Sequence, residues 1–202
     1  MRKKVILWGL AIIFSFFICA DYSLAEDNNF ADTEQEIIQK LLKPKAKTRG
    51  LTRSFVSGQG AKTRTIVVMS EKNNQPVQKT IVVSDNDLSS KVNMKIEFNH
   101  NSSAIRSDAF YVLNELGKAV TSTELQTKNL TIIGHTDSDG SGNYNLNLSL
   151  NRANSVKNFL VKSYNIHPDR IAVFGYGETI PLVDNTTSDN KQVNRRVEIR
   201  AE

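Results

Sequence analysis

Residues 130–164 read LTIIGHTDSDGSGNYNLNLSLNRANSVKNFLVKSY and decide how this 202-residue chain folds. The apolar run at the start, which ends at Gly134, is typical of a short buried strand. A polar loop follows, and Ser149 is the predicted N-cap of a helix with an apolar face over residues 153–160. The stretch therefore predicts a strand and a helix joined by a loop at the carboxyl end of the strand.

The flanking sequence repeats this alternation. Residues 92–98 alternate apolar and polar side chains, which predicts a strand with one buried face. Residues 108–121 have helical spacing, and residues 171–174 form a third apolar strand. Residues 193–199 alternate again and predict a last, returning strand that includes Arg195. The order βαβαβ followed by a strand predicts an α/β (α+β) sandwich with right-handed crossovers and helices packed on a mixed sheet.

The composition is that of a globular protein, with 39% apolar and 23% charged residues, and the length suits one domain with an appendage. Cys19 is the single cysteine, so no internal disulfide can form. Together with the three histidines it offers no closed zinc site. We therefore expect neither a metal nor another cofactor.

Residues 1–25 have the pattern of an export signal. A positive start precedes a nearly continuous apolar run, and residues 23–25 offer small side chains at both positions that signal peptidase inspects. We expect cleavage after Ala25 and a periplasmic protein. A retained anchor is the alternative, but the apolar run is short for a spanning helix. Bulky residues before Cys19 argue against lipidation at that cysteine.

Residues 26–91 form an N-terminal segment before the domain predicted for residues 92–202. Thr33 and Glu36 fit a capping box, which predicts a short amphipathic helix with an otherwise irregular continuation. The string TIVV then occurs twice, separated by polar turn residues. Two such β-branched runs predict a hairpin.

Residues 43–64, between that helix and the hairpin, carry seven basic and no acidic side chains. One interpretation is a solvated tether. The other is attachment to an envelope protein, a membrane surface or an anionic cell-wall polymer. Residues 92–202 carry 12 basic and 12 acidic side chains, which argues against nucleic acid as a partner.

Three functions compete for the polar loop after Gly134. A calcium loop is suggested because side chains from Asp137 to Asn145 match EF-hand ligand positions, but Leu148 stands where a bidentate glutamate is needed. A hydrolase would use His135 with Asp137 and a serine such as Ser141. In many hydrolases a GxSxG motif forms the turn between a strand and a helix that presents the nucleophilic serine. The sequence contains no such motif, so no enzyme is predicted.

The third function is binding of a zwitterion. Asp137 follows the strand, and Arg152 is predicted in the first turn of the next helix. The carboxylate would bind an ammonium group, and the guanidinium, with the positive end of its helix, would bind a carboxylate through two hydrogen bonds. A purely structural Asp137–Arg152 salt bridge explains the same two residues equally well.

Several further motifs follow one another in a specific order. They are Phe98 with Ser103, Gly134-His135-Thr136-Asp137, Tyr144-Asn145, Leu148-Ser149 with Arg152-Ala153, Gly175-Tyr176-Gly177-Glu178 with Pro181, and Asn194-Arg195-Arg196-Val197-Glu198-Ile199. This set resembles the OmpA-like C-terminal domain shared by outer-membrane porin-type proteins, peptidoglycan-associated lipoproteins and flagellar stator proteins.

The resemblance implies non-covalent binding of peptidoglycan, with the diaminopimelate end of the stem peptide as the recognised group. Asp137 and Arg152 match the pair that holds this head group. Further contact positions of the family are matched by Asn101, Asn145 and Arg195. Positions that form the walls of the pocket are matched by Thr136 and Phe98.

Two stretches depart from the family pattern. Asn99-His100 stands where relatives commonly have an aspartate, and Asp189-Asn190-Lys191 stands where a glycine and an arginine are usual. The competing hypothesis is an envelope interaction protein, in which the OmpA-like fold is a scaffold and residues 26–91 recognise the partner.

Overall fold

The structure is a computed structural model that describes residues 30–43, 63–72, 75–84, 90–99 and 101–202. The predicted signal segment, most of the basic run and His100 lie outside the described residues. In the part that is described, no helix has both the length and the apolar character needed to cross a membrane.

The described residues form four α-helices and six strands. The helices are α1 (Glu34–Leu42), α2 (Phe110–Thr121), α3 (Gly142–Tyr164) and α4 (Ser188–Asn194), with short 3-10 helices at Ser107–Ala109 and Pro168–Arg170. The strands are β1 (Thr63–Lys72), β2 (Gln75–Ser84), β3 (Lys91–Met94), β4 (Leu130–His135), β5 (Ile171–Gly177) and β6 (Val197–Ala201). The predicted α/β architecture is confirmed.

All six strands form one mixed sheet in the order β2-β1-β5-β4-β6-β3. The pair β4 and β5 is parallel and the other neighbours are antiparallel. Because α3 connects the parallel pair, it packs across both strands. Ile132 belongs to the main core with the helices, whereas Ile133 joins Val68 and Tyr176 in a smaller cluster. This alternation follows from the two-residue period of a strand.

Two predicted strands are shorter in the structure. β3 ends at Met94 because its partner β6 begins at Val197, the residue opposite Met94. Phe98 forms an isolated bridge with Ile105 instead. The prediction of a strand over residues 193–199 is wrong at its start, since the chain there completes α4.

The predicted N-cap of the long helix is also wrong. Ser141 caps α3, and its hydroxyl oxygen accepts a hydrogen bond from the Tyr144 backbone N–H at 3.3 Å. Ser149 lies fully buried within the helix. Its hydroxyl donates to the Leu146 carbonyl at 2.9 Å and accepts the Gly177 N–H at 2.9 Å. Ser149 therefore joins α3 to β5.

Glycines allow α3 to approach the sheet closely. A Cβ atom at Gly134 would lie 2.1 Å from the Ser149 carbonyl oxygen, and one at Gly175 would lie 2.5 Å from that of Leu146. Atoms cannot approach so closely, so a side chain at either position would push α3 away. The contact fixes the loop between β4 and α3 at the carboxyl end of the parallel strands, where ligands bind in many α/β folds.

The amphipathic helix and the hairpin of the N-terminal segment are confirmed. Ile37 and Leu41 of α1 are buried in the main core, and β1 pairs with β5 through Met69 and Ser70. The sheet and the core therefore include residues from both sides of residue 91. The division of the chain at that residue into an N-terminal segment and a domain stays a prediction.

The start of α1 is stabilised differently from the predicted capping box. Thr33 occupies the N-cap position, but its side chain makes no capping hydrogen bond. Instead, Glu115 of α2 accepts the Glu34 backbone N–H at 3.0 Å. Glu36 forms an ion pair with Lys40 one turn later. A carboxylate from another helix thus satisfies the first turn of α1.

Candidate functional site

A pocket of about 430 Å³ opens at the carboxyl end of β4. Its walls come from the loop after β3, the loop between β4 and α3, the first turns of α3, and α4. All seven sequence-predicted site residues line it, namely Phe98, Asn101, Thr136, Asp137, Asn145, Arg152 and Arg195. The structure therefore brings together residues that are up to 97 positions apart in the chain.

Asp137 is the buried acid of the pocket, with 7% of its surface exposed. One carboxylate oxygen accepts the Asp139 backbone N–H at 3.0 Å. The other lies 2.5 Å from Nη1 of Arg195, the C-cap residue of α4. Asp137 thus forms its ion pair with Arg195 and not with Arg152.

Arg152 is the buried cation of the pocket and is also 7% exposed. Its Nε donates to the Ser102 carbonyl at 3.1 Å, and its guanidinium carbon lies 5.1 Å from the centre of the Phe98 ring. Burial, with the nearby charge of Arg195, lowers the pKa of Arg152. Within the described residues, no carboxylate lies within ion-pair distance of Arg152, and its two terminal nitrogens donate no hydrogen bond.

The predicted help from the helix dipole is wrong. α3 begins at Gly142, so Arg152 lies almost three turns into the helix and not in its first turn. The positive end of a helix acts within about one turn. The guanidinium of Arg152 itself therefore supplies the positive charge in this part of the pocket.

Two of the predicted site residues, Asn145 and Thr136, have structural partners of their own, and a third, Asn101, lies in an exposed turn. Asn145 is buried, and its amide nitrogen donates to the carbonyls of Asp137 (3.3 Å) and Asp139 (3.0 Å) and to Glu178 (2.6 Å). The Thr136 N–H donates to the Gly177 carbonyl at 3.0 Å. Asn101 is exposed in a turn with φ of 48°. Asn145 in particular holds the loop that presents Asp137.

Helix α4 forms a wall that the sequence did not predict. Lys191 pairs with Asp139 at 2.7 Å, and Gln192 donates to Glu97 at 3.3 Å. With Arg195, these side chains connect α4 to three acidic groups around the pocket. Thr187 caps α4, because its hydroxyl oxygen accepts the Asn190 backbone N–H. This Thr-x-x-Asn pattern is the feature of the sequence that could have identified the helix.

Other pocket residues were also missed by the sequence analysis. Glu97, Asn99, Arg106, Asp139, Tyr144, Leu148 and Gln192 share the pocket with the predicted set. Each lies within five residues of a predicted site residue in the chain, so proximity to those positions was the available signal. Tyr144 is 44% exposed and stands at the start of α3.

The structure does not assemble the two alternatives weighed for this loop. Residues from Gly142 onward form α3 and not a calcium loop, and the described residues contain no cluster of three potential metal ligands. His135 is 2% exposed, and its ring packs edge-on against the ring of Tyr176, with 5.5 Å between the two ring centres. It makes no hydrogen bond to Asp137 or Ser141 among the described residues.

A charged pocket at the end of a parallel strand pair, on a mixed sheet with helices, is typical of α/β domains that bind ligands. Residues 97–195 match the sequence model described as the OmpA family. These residues are therefore an OmpA-family domain, and the resemblance found in the sequence is confirmed.

Relatives and a solved structure agree with this assignment. Outer membrane porin F of Pseudomonas aeruginosa is 33% identical over 112 residues, covering 55% of this chain and 31% of the relative. Outer membrane protein A of Bordetella avium is 36% identical over 102 residues, covering 50% of this chain and 51% of the relative. The chain thus spans about a third of the first relative's length and about half of the second's.

Among solved structures, the periplasmic domain of Helicobacter pylori MotB (residues 78–256) has a TM-score of 0.51 at 25% identity. The match covers 60% of this chain and 80% of that domain. The matched part of this chain thus shares its fold with that periplasmic domain.

Proposed function

We propose that this protein binds peptidoglycan non-covalently in the periplasm, and that its pocket holds the free end of the diaminopimelate side chain. The OmpA-family match, the envelope location in the relatives' names and the pocket chemistry support this function. The observation that carries it is a buried acid and a buried arginine in one pocket, where the arginine has no carboxylate partner among the described residues.

The free end of diaminopimelate carries an ammonium and a carboxylate on the same carbon. Asp137 supplies the acceptor for the ammonium, because its carboxylate retains lone pairs beyond those used by Asp139 and Arg195. The terminal nitrogens of Arg152 supply two parallel donors for the carboxylate. Burial of both residues strengthens these contacts, because water competes less for the charges.

Binding to the polymer depends on many weak contacts. Two charged groups with a few amides give each stem peptide a modest affinity. The many stems of the polymer add avidity, provided that more than one protein molecule or site is engaged. We propose that residues 1–25 direct export and that the domain binds the wall without cleaving it.

The test is calorimetric titration of residues 26–202 with a stem peptide that contains diaminopimelate. The matched control is the same peptide with lysine at that position, which retains the amine but lacks the second carboxylate. Binding of the first peptide alone is the expected result. Equal binding of both peptides, or of neither, would overturn diaminopimelate recognition.

A further inference from the structure

A small cavity lies beside the floor of the pocket. It measures about 30 Å³, and it is lined by Ile96, Glu97, Phe98, His135, Arg152, Arg195 and Arg196. Arg152 and Arg195 line both this cavity and the larger pocket, so the two spaces adjoin. A space of this size holds one or two water-sized particles.

Among the described residues, three buried polar atoms at this cavity have no hydrogen-bond partner. His135 is 2% exposed, and both of its ring nitrogens lack a hydrogen bond in the described part of the chain. Arg196 is 3% exposed, and its Nε also lacks one. Two of these atoms are donors, namely the Nε–H of Arg196 and the single ring N–H of neutral His135. Buried donors without partners are rare in folded proteins, so both point to a bound species that the chain itself does not supply.

The charge balance around the cavity is positive, because three arginines line it and Glu97 supplies its one carboxylate among the described residues. That carboxylate already pairs with Lys95 at 3.6 Å and accepts a hydrogen bond from Gln192 at 3.3 Å. Within the described residues, Arg196 donates only to neutral carbonyls, at Ile180 (3.1 Å) and Asn194 (3.4 Å), and no carboxylate there lies within ion-pair distance of it. Glu198 acts on Arg196 from further away, and it is already paired with Arg200 and Lys91. Burial lowers the pKa of Arg196 to about 10, so the side chain is still a cation at neutral pH.

A buried charge normally has a counter-charge, because an isolated one is costly to desolvate. Arg152 also lacks a carboxylate partner among the described residues, so two of the three arginines at the cavity are unpaired. The positive charge of Arg196 is in addition the largest electrostatic influence on neighbouring His135 after burial itself. A water molecule would complete the hydrogen bonds but would leave this charge uncompensated.

We infer that the cavity between His135, Arg152 and Arg196 binds a small monovalent anion of halide size, such as chloride. The Nε–H of Arg196 and a ring N–H of neutral His135 donate to the anion, which neutralises the buried guanidinium. The anion site adjoins Arg152 and so supports the floor of the ligand pocket. It does not depend on what the pocket itself binds.

The test compares sodium chloride with sodium gluconate at constant ionic strength, since gluconate is too large for the cavity. The thermal midpoint of residues 26–202 should rise by about 3–5 °C for each tenfold increase of chloride above its dissociation constant. Arg196→Met should abolish this dependence. Lys162→Met, which removes an exposed cation of α3, should retain it and so controls for general salt effects.

Crystals of the unaltered protein grown in sodium bromide give an independent measurement that does not require the variants to fold. An anomalous peak between His135 and Arg196 is the expected result. A water molecule there, or no bound species, together with a midpoint that does not depend on chloride, would overturn the anion site. Loss of stem-peptide binding would not bear on it, so the two proposals can fail separately.

Discussion

Nη1 of Arg195 lies 2.5 Å from Oδ2 of Asp137, so an arginine of α4 already holds the acid of the pocket. Arg152, in contrast, uses its Nε for the Ser102 carbonyl and leaves its terminal nitrogens without a described partner. The two arginines therefore have different roles. Arg195 orients the carboxylate that would bind an ammonium, and Arg152 would bind the ligand carboxylate directly.

Asp137→Asn should weaken binding of the diaminopimelate stem peptide by about 10- to 100-fold, because a hydrogen bond to a charged group contributes about 1.5–3 kcal/mol. Calorimetry measures this change, and the circular dichroism spectrum should stay the same. The matched control is Asp169→Asn, since Asp169 is 92% exposed and lies before β5, at the other end of the parallel strands. Undiminished affinity in Asp137→Asn would contradict the proposed site.

Arg195→Gln should weaken binding by about three- to tenfold, because contacting residues are coupled energetically. If Arg195 acts by orienting Asp137, the double variant that combines Arg195→Gln with Asp137→Asn should have a peptide affinity within about twofold of that of Asp137→Asn alone. Both affinities come from the same calorimetric titration. If the double variant instead loses affinity by the product of the two single fold-decreases, Arg195 binds the ligand independently of Asp137.

The sequence predicted the pocket residues better than the pairing between them. The pattern around Gly134 places Asp137 at the end of a strand, and the resemblance to the OmpA-like family identified the other matched positions. The Asp137–Arg195 pair spans 58 positions in the chain. It depends on how α4 packs, which no local pattern reveals.

The errors in the element boundaries have local causes. Residues 142–148 are rich in asparagine, which has a modest helix propensity, so the start of α3 resembled a loop. Ser149 resembled an N-cap because serine favours that position, whereas here its hydroxyl bonds to β5 from within the helix. Val193 continued an alternating pattern, but it belongs to a short capped helix.

Gly134→Ala should destabilise the fold strongly, because its Cβ would lie 2.1 Å from the Ser149 carbonyl oxygen. Overpacking of this kind typically costs about 1–3 kcal/mol or more. Gly142→Ala is the matched control, since a Cβ at the start of α3 meets nothing within 4 Å. The thermal midpoint should fall by several degrees in the first variant and stay equal or rise in the second. Equal midpoints would refute the close contact between α3 and β4.

Ile37→Ala tests whether α1 belongs to the folded core. Ile37 is completely buried, and removal of such a side chain costs about 2–5 kcal/mol. Leu42→Ala, at a position that is 39% exposed at the end of the same helix, should cost much less. Urea unfolding measures both free energies. If Ile37→Ala unfolds at the same urea concentration as the unaltered protein, α1 does not contribute to the core.

The stability of the fold should decrease in mild acid because of His135. Burial, followed by the positive charge of Arg196, lowers the pKa of this histidine well below its ordinary value of 6.5. Between the lowered value and 6.5, the unfolded chain takes up a proton that the folded chain does not. The free energy of unfolding therefore falls as the pH drops below about 6.5, with a slope that approaches about 1.4 kcal/mol per pH unit.

His135→Gln should remove this slope, because glutamine takes up no proton in either state. Urea unfolding at pH 7.5, 6.5 and 5.5 in sodium gluconate measures the slope without a contribution from chloride. His167→Gln is the matched control, since the His167 side chain is 72% exposed, and it should retain the full slope. If His135→Gln and the unaltered protein lose stability in parallel, other groups take up the proton, and His135 is not the residue that makes the fold sensitive to acid.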